Sequence, residues 1–310
     1  MPLYCVCEVI LVQTVIEQVL ILMIFAAVGY TLCKAKITKS ADASVLSKIV
    51  IYVFLPAMSF KTYATSFTVD YVRANYSELL LSIAVVIVLA LISLPLSRLL
   101  TRDTYLRKVY HYSITIANYG YMGYVLAENL YGGEMLLTVM VYALPLTFYV
   151  YGVGYPTLTN AGVSVKKFLN PSIIASLLGM AVGLCGLTVP EVAIDLLGKA
   201  AACVGPVSML LTGMTLSEYR LRTLLCDRNT YIVTVLRLLV MPSLLAGALI
   251  LLGLCEAVIP MLMLYAMPCG LNTVVFPKLV GERCETGAAL ALVSSVLSCV
   301  TIPLMLYLWT

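Results

Sequence analysis

The sequence predicts an all-α integral membrane protein, and its composition and patterning both support this fold class. Of the 310 residues, 62% are hydrophobic and only 11% are charged, whereas soluble domains are about a quarter charged. The mean hydropathy is +1.03. Apolar stretches of the length that crosses a bilayer, about 20 residues, follow one another along the chain. The chain therefore has room for about ten such helices joined by short loops.

Ten membrane-spanning helices are predicted, and charged or turn-forming residues separate them. Because the first apolar stretch is long and no basic segment precedes it, we expect a first spanning helix rather than a cleaved signal peptide. The predicted spans are 9–33, 43–64, 78–99, 109–131, 134–156, 171–189, 192–216, 229–253, 257–279 and 287–308.

Lysines and arginines concentrate in the loops that follow the first, third, fifth, seventh and ninth spans. Cytoplasmic loops of membrane proteins carry an excess of these residues, so we expect this set in the cytoplasm and both chain termini outside. The residues are Lys34, Lys36, Lys39, Arg98, Arg102, Arg107, Lys108, Lys166, Lys167, Arg220, Arg222, Arg228, Lys278 and Arg283.

A weak internal repeat divides the chain at a spacing of about 150 residues. Three pairs of segments align in the same order, namely 26–38 with 176–188, 53–60 with 203–210, and 117–132 with 266–281. Each half then holds five spans, and because five is odd, the two halves must be inverted relative to each other in the membrane. Inverted repeats are typical of secondary transporters, whose substrate sites lie near the midplane where the repeats meet.

The repeat predicts the organisation of the chain into two five-helix units. The first repeat covers residues 1–156, a cytoplasmic linker covers 157–170, and the second repeat covers 171–310.

Spans 4 and 9, which correspond in the two halves, are the least suited to continuous helix. Span 4 carries Asn118, Gly120 and Gly123, while the second half of span 9 reads "AMPCGLNTVVFPKLVG" (266–281), a segment with two prolines. Proline in a helix interior removes a hydrogen bond, and glycine loosens the backbone. At 1.5 Å per residue, Asn118 lies about 14 Å into its span and Pro268 about 17 Å into its own, halfway through the bilayer. Matched interrupted helices of this kind indicate a transporter binding site.

A broken helix offers chemistry that suits a small anion. The new helix start has free N–H groups and a partial positive charge, and the amides of Asn118 and Asn272 donate and accept hydrogen bonds. The rings of Tyr119, Tyr121 and Tyr142 are suited to flank an aromatic or acyl group. The structural alternative is that glycine and proline permit close helix packing and each asparagine bonds a neighbouring helix.

Two ionisable residues lie inside the predicted spans, and each has both a functional and a structural interpretation. Arg237 lies about 13 Å beyond Arg228 in span 8. It either serves transport, pairs with carbonyls or a carboxylate, or extends its long side chain to the cytoplasmic interface. His111, the only histidine, is interpreted as an interface residue near the mouth of span 4, with a proton relay as the alternative.

Several classes of function are disfavoured. The basic residues are dispersed, so a nucleic-acid groove is not expected. The ten cysteines lack metal-ligand spacing, so we predict neither a metal site nor a cofactor. Paired carboxylates and a Ser/His pair at matching depth are not found, which argues against an intramembrane enzyme. A receptor that binds without transport remains an alternative.

Several segments resemble the auxin efflux carrier family, which includes the plant PIN transporters and short prokaryotic relatives. The similar segments are "NYGYMG" with "ENLYG", "NPSIIASLLG" (170–179), "GPVSMLLTGMTL" (205–216), "LRLLVMP" (236–242), and "MPCGLNTVVFPKLVGE" with "GAALALVSSVLSCVTIPL" (267–304). The resemblance covers nearly the whole chain and implies a fold related to bile-acid/sodium symporters. It implies ten helices in two inverted repeats, with helices 4 and 9 broken and crossing.

The same resemblance implies a mechanism. Helices 1, 2, 6 and 7 would form a scaffold, often dimeric, and helices 3–5 and 8–10 a transport domain that moves against it like an elevator. The family's crossover motifs correspond here to Asn118–Gly120 and Pro268–Asn272, and its substrates are organic anions such as indole-3-acetate or dicarboxylates. Span 4 lacks the proline of plant members, so its break is predicted to depend on Gly120 and Gly123.

We therefore predict a multi-pass transporter of the cell's inner membrane, a homodimer through its scaffold, that carries a carboxylate-bearing organic anion. A sodium-coupled symporter of the bile-acid type is the alternative. The predicted substrate-binding residues are Asn118, Tyr119, Gly120, Tyr121, Tyr142, Pro268, Cys269, Gly270, Leu271 and Asn272, with Arg237 as a coupling or structural charge.

Overall fold

A computed structural model describes residues 2–162 and 170–309, with side chains from residue 12 onward, and this part of the chain consists of helices joined by loops, with one isolated β-bridge and no strand. The helices are α1 (Pro2–Lys34), α2 (Ala43–Ile49), α3 (Leu55–Ser66), α4 (Val69–Leu100), α5 (Thr104–Thr115), α6 (Tyr124–Tyr131), α7 (Gly133–Tyr149), α8 (Tyr155–Thr159), α9 (Pro171–Leu184), α10 (Glu191–Ala202), α11 (Val204–Leu216), α12 (Leu221–Leu224), α13 (Arg228–Val235), α14 (Met241–Leu251), α15 (Val258–Tyr265), α16 (Asn272–Lys278) and α17 (Glu285–Trp309). Wider π-helical turns occupy Val50–Phe54, Tyr119–Gly123, Val150–Gly154 and Leu236–Val240.

Within the described residues, seven helical stretches are long and apolar enough to cross a membrane, which confirms the predicted all-helical membrane fold. They are Val12–Lys34, Ser40–Ser66, Val69–Leu100, Gly133–Thr159, Glu191–Leu216, Arg228–Leu251 and Glu285–Trp309. The predicted spans 4, 6 and 9 appear instead as shorter helices. Of the predicted linker 157–170, residues 163–169 lie outside the described residues.

The first broken helix is interrupted just before its glycines. Helix α5 ends at Thr115, Ile116 has extended backbone angles (φ −113°, ψ 126°), and the chain turns helical again at Tyr119. The prediction that Gly120 and Gly123 cause the break is therefore wrong, since both lie within the resumed helix. Residues 114–116 are Ile-Thr-Ile, and β-branched side chains of this kind favour extended backbone.

Gly123 serves packing instead. A Cβ on this residue would stand 2.4 Å from the carbonyl oxygen of Met263 in α15, so only glycine permits this approach of the two broken helices.

The second broken helix follows the predicted pattern. Helix α15 ends at Tyr265 and α16 begins at Asn272, so the segment between them, which contains Pro268 and Gly270, is not α-helical. Proline has no N–H to continue the helix, which accounts for the interruption here.

Two helix pairs pack with their backbones in close contact. Helix α1 lies on α11, where a Cβ on Gly213 would stand 1.8 Å from the carbonyl oxygen of Ala26. Helix α3 lies on α9, where a Cβ on Gly183 would stand 2.6 Å from the carbonyl oxygen of Phe67. Small residues at membrane helix contacts permit this proximity, because van der Waals packing drives association in lipid.

The loops after the predicted spans 3, 5, 7 and 9 meet at one end of the molecule. These are four of the five loops in which lysines and arginines concentrate, although Lys166 and Lys167 lie outside the described residues. Three polar contacts join the loops, namely Asp103 with Arg283 at 2.8 Å, Asn160 with Glu282 at 3.2 Å and Glu218 with Lys278 at 2.7 Å.

Candidate functional site

The two interrupted segments cross each other and are joined by their backbones. The N–H of Asn118 donates to the carbonyl of Pro268 at 2.8 Å, and Ala117 pairs with Cys269 in an antiparallel bridge. Non-helical backbone at membrane depth must satisfy its polar groups within the protein. Each interrupted segment therefore provides hydrogen-bond partners for backbone groups of the other segment that have no partner within their own helix.

A third helix supports the crossing. The N–H of Cys269 donates to the hydroxyl of Ser294 in α17 at 2.9 Å, and this serine is fully buried. Cys269 is itself buried, with its thiol directed toward the carbonyl of Ser113 at 3.9 Å. Both residues thus lie within the packed interior at the crossing.

Arg237 lies beside the crossing and is the largest fully buried side chain of the described residues. Its Nη1 donates to the carbonyl of Ile114 at 3.1 Å, and its Nε donates to the carbonyl of Met267 at 3.3 Å. The structure therefore favours pairing with backbone carbonyls among the alternatives for this residue. Because 0% of the side chain is exposed, it does not extend toward an aqueous interface.

A cavity of about 270 Å³ opens at the crossing and is bounded by residues from both breaks. Seven of the ten residues predicted to bind substrate line it, namely Asn118, Tyr119, Gly120, Tyr121, Gly270, Leu271 and Asn272. The other three do not. Pro268 and Cys269 belong to the crossing itself, while Tyr142 is buried in α7, where its carbonyl accepts a hydrogen bond from the Ser82 hydroxyl.

The described residues that line the cavity carry no charge. The Asn118 side chain makes no hydrogen bond to any described residue, whereas Nδ2 of Asn272 donates to the Tyr112 hydroxyl at 2.9 Å. The backbone N–H groups of Gly120 and Tyr121 likewise have no partner among the described residues, as expected for the first turn of a helix. The wall therefore presents neutral hydrogen-bond donors together with the positive end of a helix.

Sequence reasoning missed several other residues that line the cavity. Helix α3 contributes Ser59 and Tyr63, helix α9 contributes Ser176, and α7 with the turn after it contributes Thr147 and Tyr151. The serines look like ordinary packing residues of membrane helices, so nothing in their spacing identifies them.

Asn170 also lines the cavity and caps α9 by accepting a hydrogen bond from the N–H of Ile173 at 3.0 Å. The segment "NPSIIASLLG" begins at Asn170, and it is the feature of the sequence that could have identified this residue as part of the cavity wall.

His111 belongs to a buried polar network and is not an interface residue, which corrects the prediction. It is 8% exposed, with Nδ1 2.7 Å from the hydroxyl of Ser93 and Nε2 2.8 Å from the hydroxyl of Tyr149. The network joins α4, α5 and α7, which explains how a polar ring is accommodated inside the bundle.

Two comparisons with known proteins connect this architecture to a family. A family profile described as "Membrane transport protein" matches the chain in two stretches, residues 14–161 and 155–306. A protein named "Uncharacterized transporter" from Methanothermobacter thermautotrophicus is 26% identical over 240 residues, which cover 74% of this chain and 77% of the relative.

Proposed function

The chain belongs to the membrane transport protein family, and from this premise we propose that it is a secondary transporter of a small carboxylate-bearing organic anion. The observation that carries the proposal is the cavity at the crossing of two broken helices, lined by both breaks and by α3 and α9. Concave sites with a few convergent polar groups are the default location for a small ligand. Family membership points to transport rather than catalysis.

The electrostatics of the cavity favour a carboxylate. The Asn118 amide and the N–H groups of Gly120 and Tyr121, which have no hydrogen-bond partner among the described residues, lie at the start of the resumed helix, which runs on to Tyr131. Oriented N–H groups and the helix dipole stabilise negative charge at such a position. Because the described residues that line the cavity are neutral, a carboxylate meets no fixed anion among them.

The size and surface of the cavity favour a small, partly apolar acid. A volume of about 270 Å³ is below the roughly 300–1,000 Å³ of sites for drug-sized ligands. Tyr119, Tyr124 and Tyr151 contribute aromatic surface. An indole acid or a short dicarboxylate matches this combination.

The packing of the helices supports two inverted repeats of five helices each, with ten spans in total. When the halves are aligned, α1 corresponds to α9 and α3 corresponds to α11, so the close pairs α1–α11 and α3–α9 are equivalent. The family profile also matches each half separately. These two pairs would form the scaffold, and the cavity lies between them and the helices that contain the breaks, as an elevator mechanism requires.

The orientation and assembly of the protein are part of the proposal. The loops that contain Asp103, Glu218 and Arg283 meet at one end of the molecule. Because these loops have an excess of positive residues, this end would face the cytoplasm. Both termini would then lie outside a cell inner membrane, and the scaffold helices would form a homodimer.

The proposal is tested by ligand binding followed by flux. Purified protein is heated in the presence of single organic acids, including indole-3-acetate, malate and malonate, because a ligand of the native state raises the melting temperature. Acids that raise it are then offered as radiolabelled substrates to proteoliposomes. A shift without uptake would identify a receptor, and sodium-dependent uptake would favour the bile-acid type of symport.

A further inference from the structure

Two ion pairs connect the broken helices to the close helix pairs. Lys61 in α3 lies 3.7 Å from Glu128 in α6, and both side chains are 29% exposed. Glu218, which follows the end of α11, lies 2.7 Å from Lys278, the last residue of α16. In each pair, one partner therefore belongs to the proposed scaffold and the other to a broken helix.

The two pairs occupy equivalent positions in the two halves of the chain, with their charges exchanged. In the alignment of the halves, α3 corresponds to α11, and Glu128 in α6 aligns with residue 277, which precedes Lys278 in α16. The broken helix carries the acid in the first half and the base in the second. The Lys278 pair lies where the loops after the predicted spans 7 and 9 meet, and the Lys61 pair lies at the opposite end, where spans 2 and 4 end.

Both pairs are formed in the same conformation, which limits how the broken helices can move. An ion pair requires its nitrogen and oxygen within about 4 Å of each other. If the broken helices move past α3 and α11 by more than a lysine side chain can follow, both pairs separate. Weakening one pair therefore makes the whole movement easier, including the separation at the other end.

We propose that Lys61–Glu128 and Glu218–Lys278 are two coupled latches that hold the broken helices against the scaffold, and that both open each time a substrate crosses. The opening during transport rests on the proposed function, whereas the latches themselves are measurable without a substrate. Coupling distinguishes them from ion pairs that stabilise only their own surroundings, because a change at one end of the molecule acts at the other.

Cys284 reports the opening of the Glu218–Lys278 latch. Its side chain is 9% exposed and lies in one apolar cluster with Leu216, at the end of α11. The full chain in detergent is treated with N-ethylmaleimide, and mass spectrometry follows the labelling of each cysteine. The exposed Cys226 should react quickly in every variant, whereas Cys269, which is 1% exposed at the crossing, reacts only if the protein unfolds.

Glu218→Gln and Glu128→Gln should each raise the rate of Cys284 labelling about two- to fivefold, the factor by which one such ion pair changes an opening equilibrium. Exchanging the charges with Lys61→Glu and Glu128→Lys should return the rate toward that of the wild type, since the other latch already has this polarity. The Glu128 variant is decisive because this residue lies at the opposite end from Cys284.

Asp195→Asn is the matched control. It removes the contact of Asp195 with Lys199, which lies beside Lys61 but within the single helix α10. This variant should leave the labelling of Cys284 unchanged. An unchanged rate in Glu128→Gln, or labelling of Cys269 together with Cys284, would overturn the coupled latches.

A flux test closes the latches covalently. A carbodiimide joins the lysine amine to the paired carboxylate as an amide and takes up the water that is released. Treated wild-type proteoliposomes should lose most uptake of radiolabelled indole-3-acetate and malate. The double variant Lys61→Arg with Lys278→Arg keeps both ion pairs, but its guanidinium groups stay protonated and do not form the amide, so its uptake should persist.

Two results of the flux test would refute the opening step. One is an equal loss of uptake in the wild type and the arginine variant, and the other is full uptake by wild-type protein in which both amides are detected. If neither acid enters untreated proteoliposomes, the proposed transport of these acids fails, while the labelling of Cys284 still decides whether the latches are coupled.

Discussion

Gly29 lies so close to Leu210 that a Cβ on the glycine would stand 2.2 Å from the leucine carbonyl oxygen. The same relationship occurs between Gly179 and Phe60, where the distance would be 2.7 Å. By the alignment of the two halves, Gly29 corresponds to Gly179 and Leu210 corresponds to Phe60. The same contact between a glycine and a backbone carbonyl therefore occurs twice, once in the α1–α11 pair and once in the α3–α9 pair.

Gly29→Ala and Gly179→Ala should each destabilise the protein. The added methyl group cannot move a helix backbone at low cost, and overpacking of this kind costs about 1–3 kcal/mol. Thermal unfolding in detergent measures the effect. Gly247→Ala is the matched control, because a Cβ there would be 3.6 Å from the Trp309 ring, an ordinary contact. Equal melting temperatures for all three variants would contradict the close packing.

Asn118→Ala should weaken binding of the organic acid found by the thermal screen about ten- to a hundredfold. A hydrogen bond to a charged group contributes roughly 1.5–3 kcal/mol, and each 1.4 kcal/mol changes affinity tenfold. The variant should fold, because the Asn118 side chain has no partner among the described residues while its backbone N–H stays bonded to Pro268. Titration of the acid against melting temperature checks this.

A suitable control is Asn129→Ala. Asn129 donates to Gln18 at 2.9 Å on an exposed part of the protein, away from the cavity. An unchanged affinity in Asn118→Ala would remove that residue from the proposed site.

Tyr112→Phe and Asn272→Ala should act on ligand affinity non-additively. The phenol accepts from the Asn272 amide at 2.9 Å and so orients it toward the cavity, and residues that share a hydrogen bond couple by about 0.5–3 kcal/mol. The double variant should therefore lose less affinity than the sum of the single losses. A double-mutant cycle on the melting shift provides the coupling energy, and strict additivity would show that Tyr112 does not position the amide.

Asp103→Asn should lower stability near neutral pH, and its effect should fade in acid. The hydrogen bond from Arg283, followed by the N–H of Leu106, lowers the pKa of the Asp103 carboxyl. A carboxyl with a lowered pKa stabilises the protein above its unfolded value of about 3.9 and loses this contribution as the pH falls through the folded value. Melting temperatures between neutral and acidic pH measure the difference.

Asp70→Asn serves as the control for this experiment, since Asp70 lies 4.0 Å from Arg73 and both are highly exposed. Exposed pairs of this kind contribute little. A gap between wild type and Asp103→Asn that stays constant with pH would exclude a contribution from ionisation.

The sequence predicted the second break better than the first, for a physical reason. Pro268 cannot donate to a helix, so its effect on span 9 is intrinsic to the residue. Ile114 and Ile116 are common in membrane helices, and their preference for extended backbone takes effect only because Pro268 and Cys269 offer backbone partners in the fold. Gly123 looks like a helix breaker but is a packing residue against Met263.

The partners of Arg237 could not be predicted at all. They are main-chain carbonyls of Ile114 and Met267, far from it in sequence and unmarked by residue type. The spacing from Arg228 indicated the depth of the arginine, but only the tertiary arrangement decides whether a buried cation meets a carboxylate or helix ends. The α3 and α9 side of the cavity was missed for the same reason, since Ser59 and Ser176 resemble ordinary packing serines.

The hydrogen bond from Asn118 to Pro268 also has a consequence for how the protein is made. The acceptor is translated 150 residues after the donor. At about 5–20 residues per second, roughly 8–30 s separate their appearance during synthesis. Over that interval the first broken helix has no native partner for its interrupted backbone in the bilayer. The nascent first half must then be sheltered by water, lipid headgroups or the insertion machinery until the second half arrives.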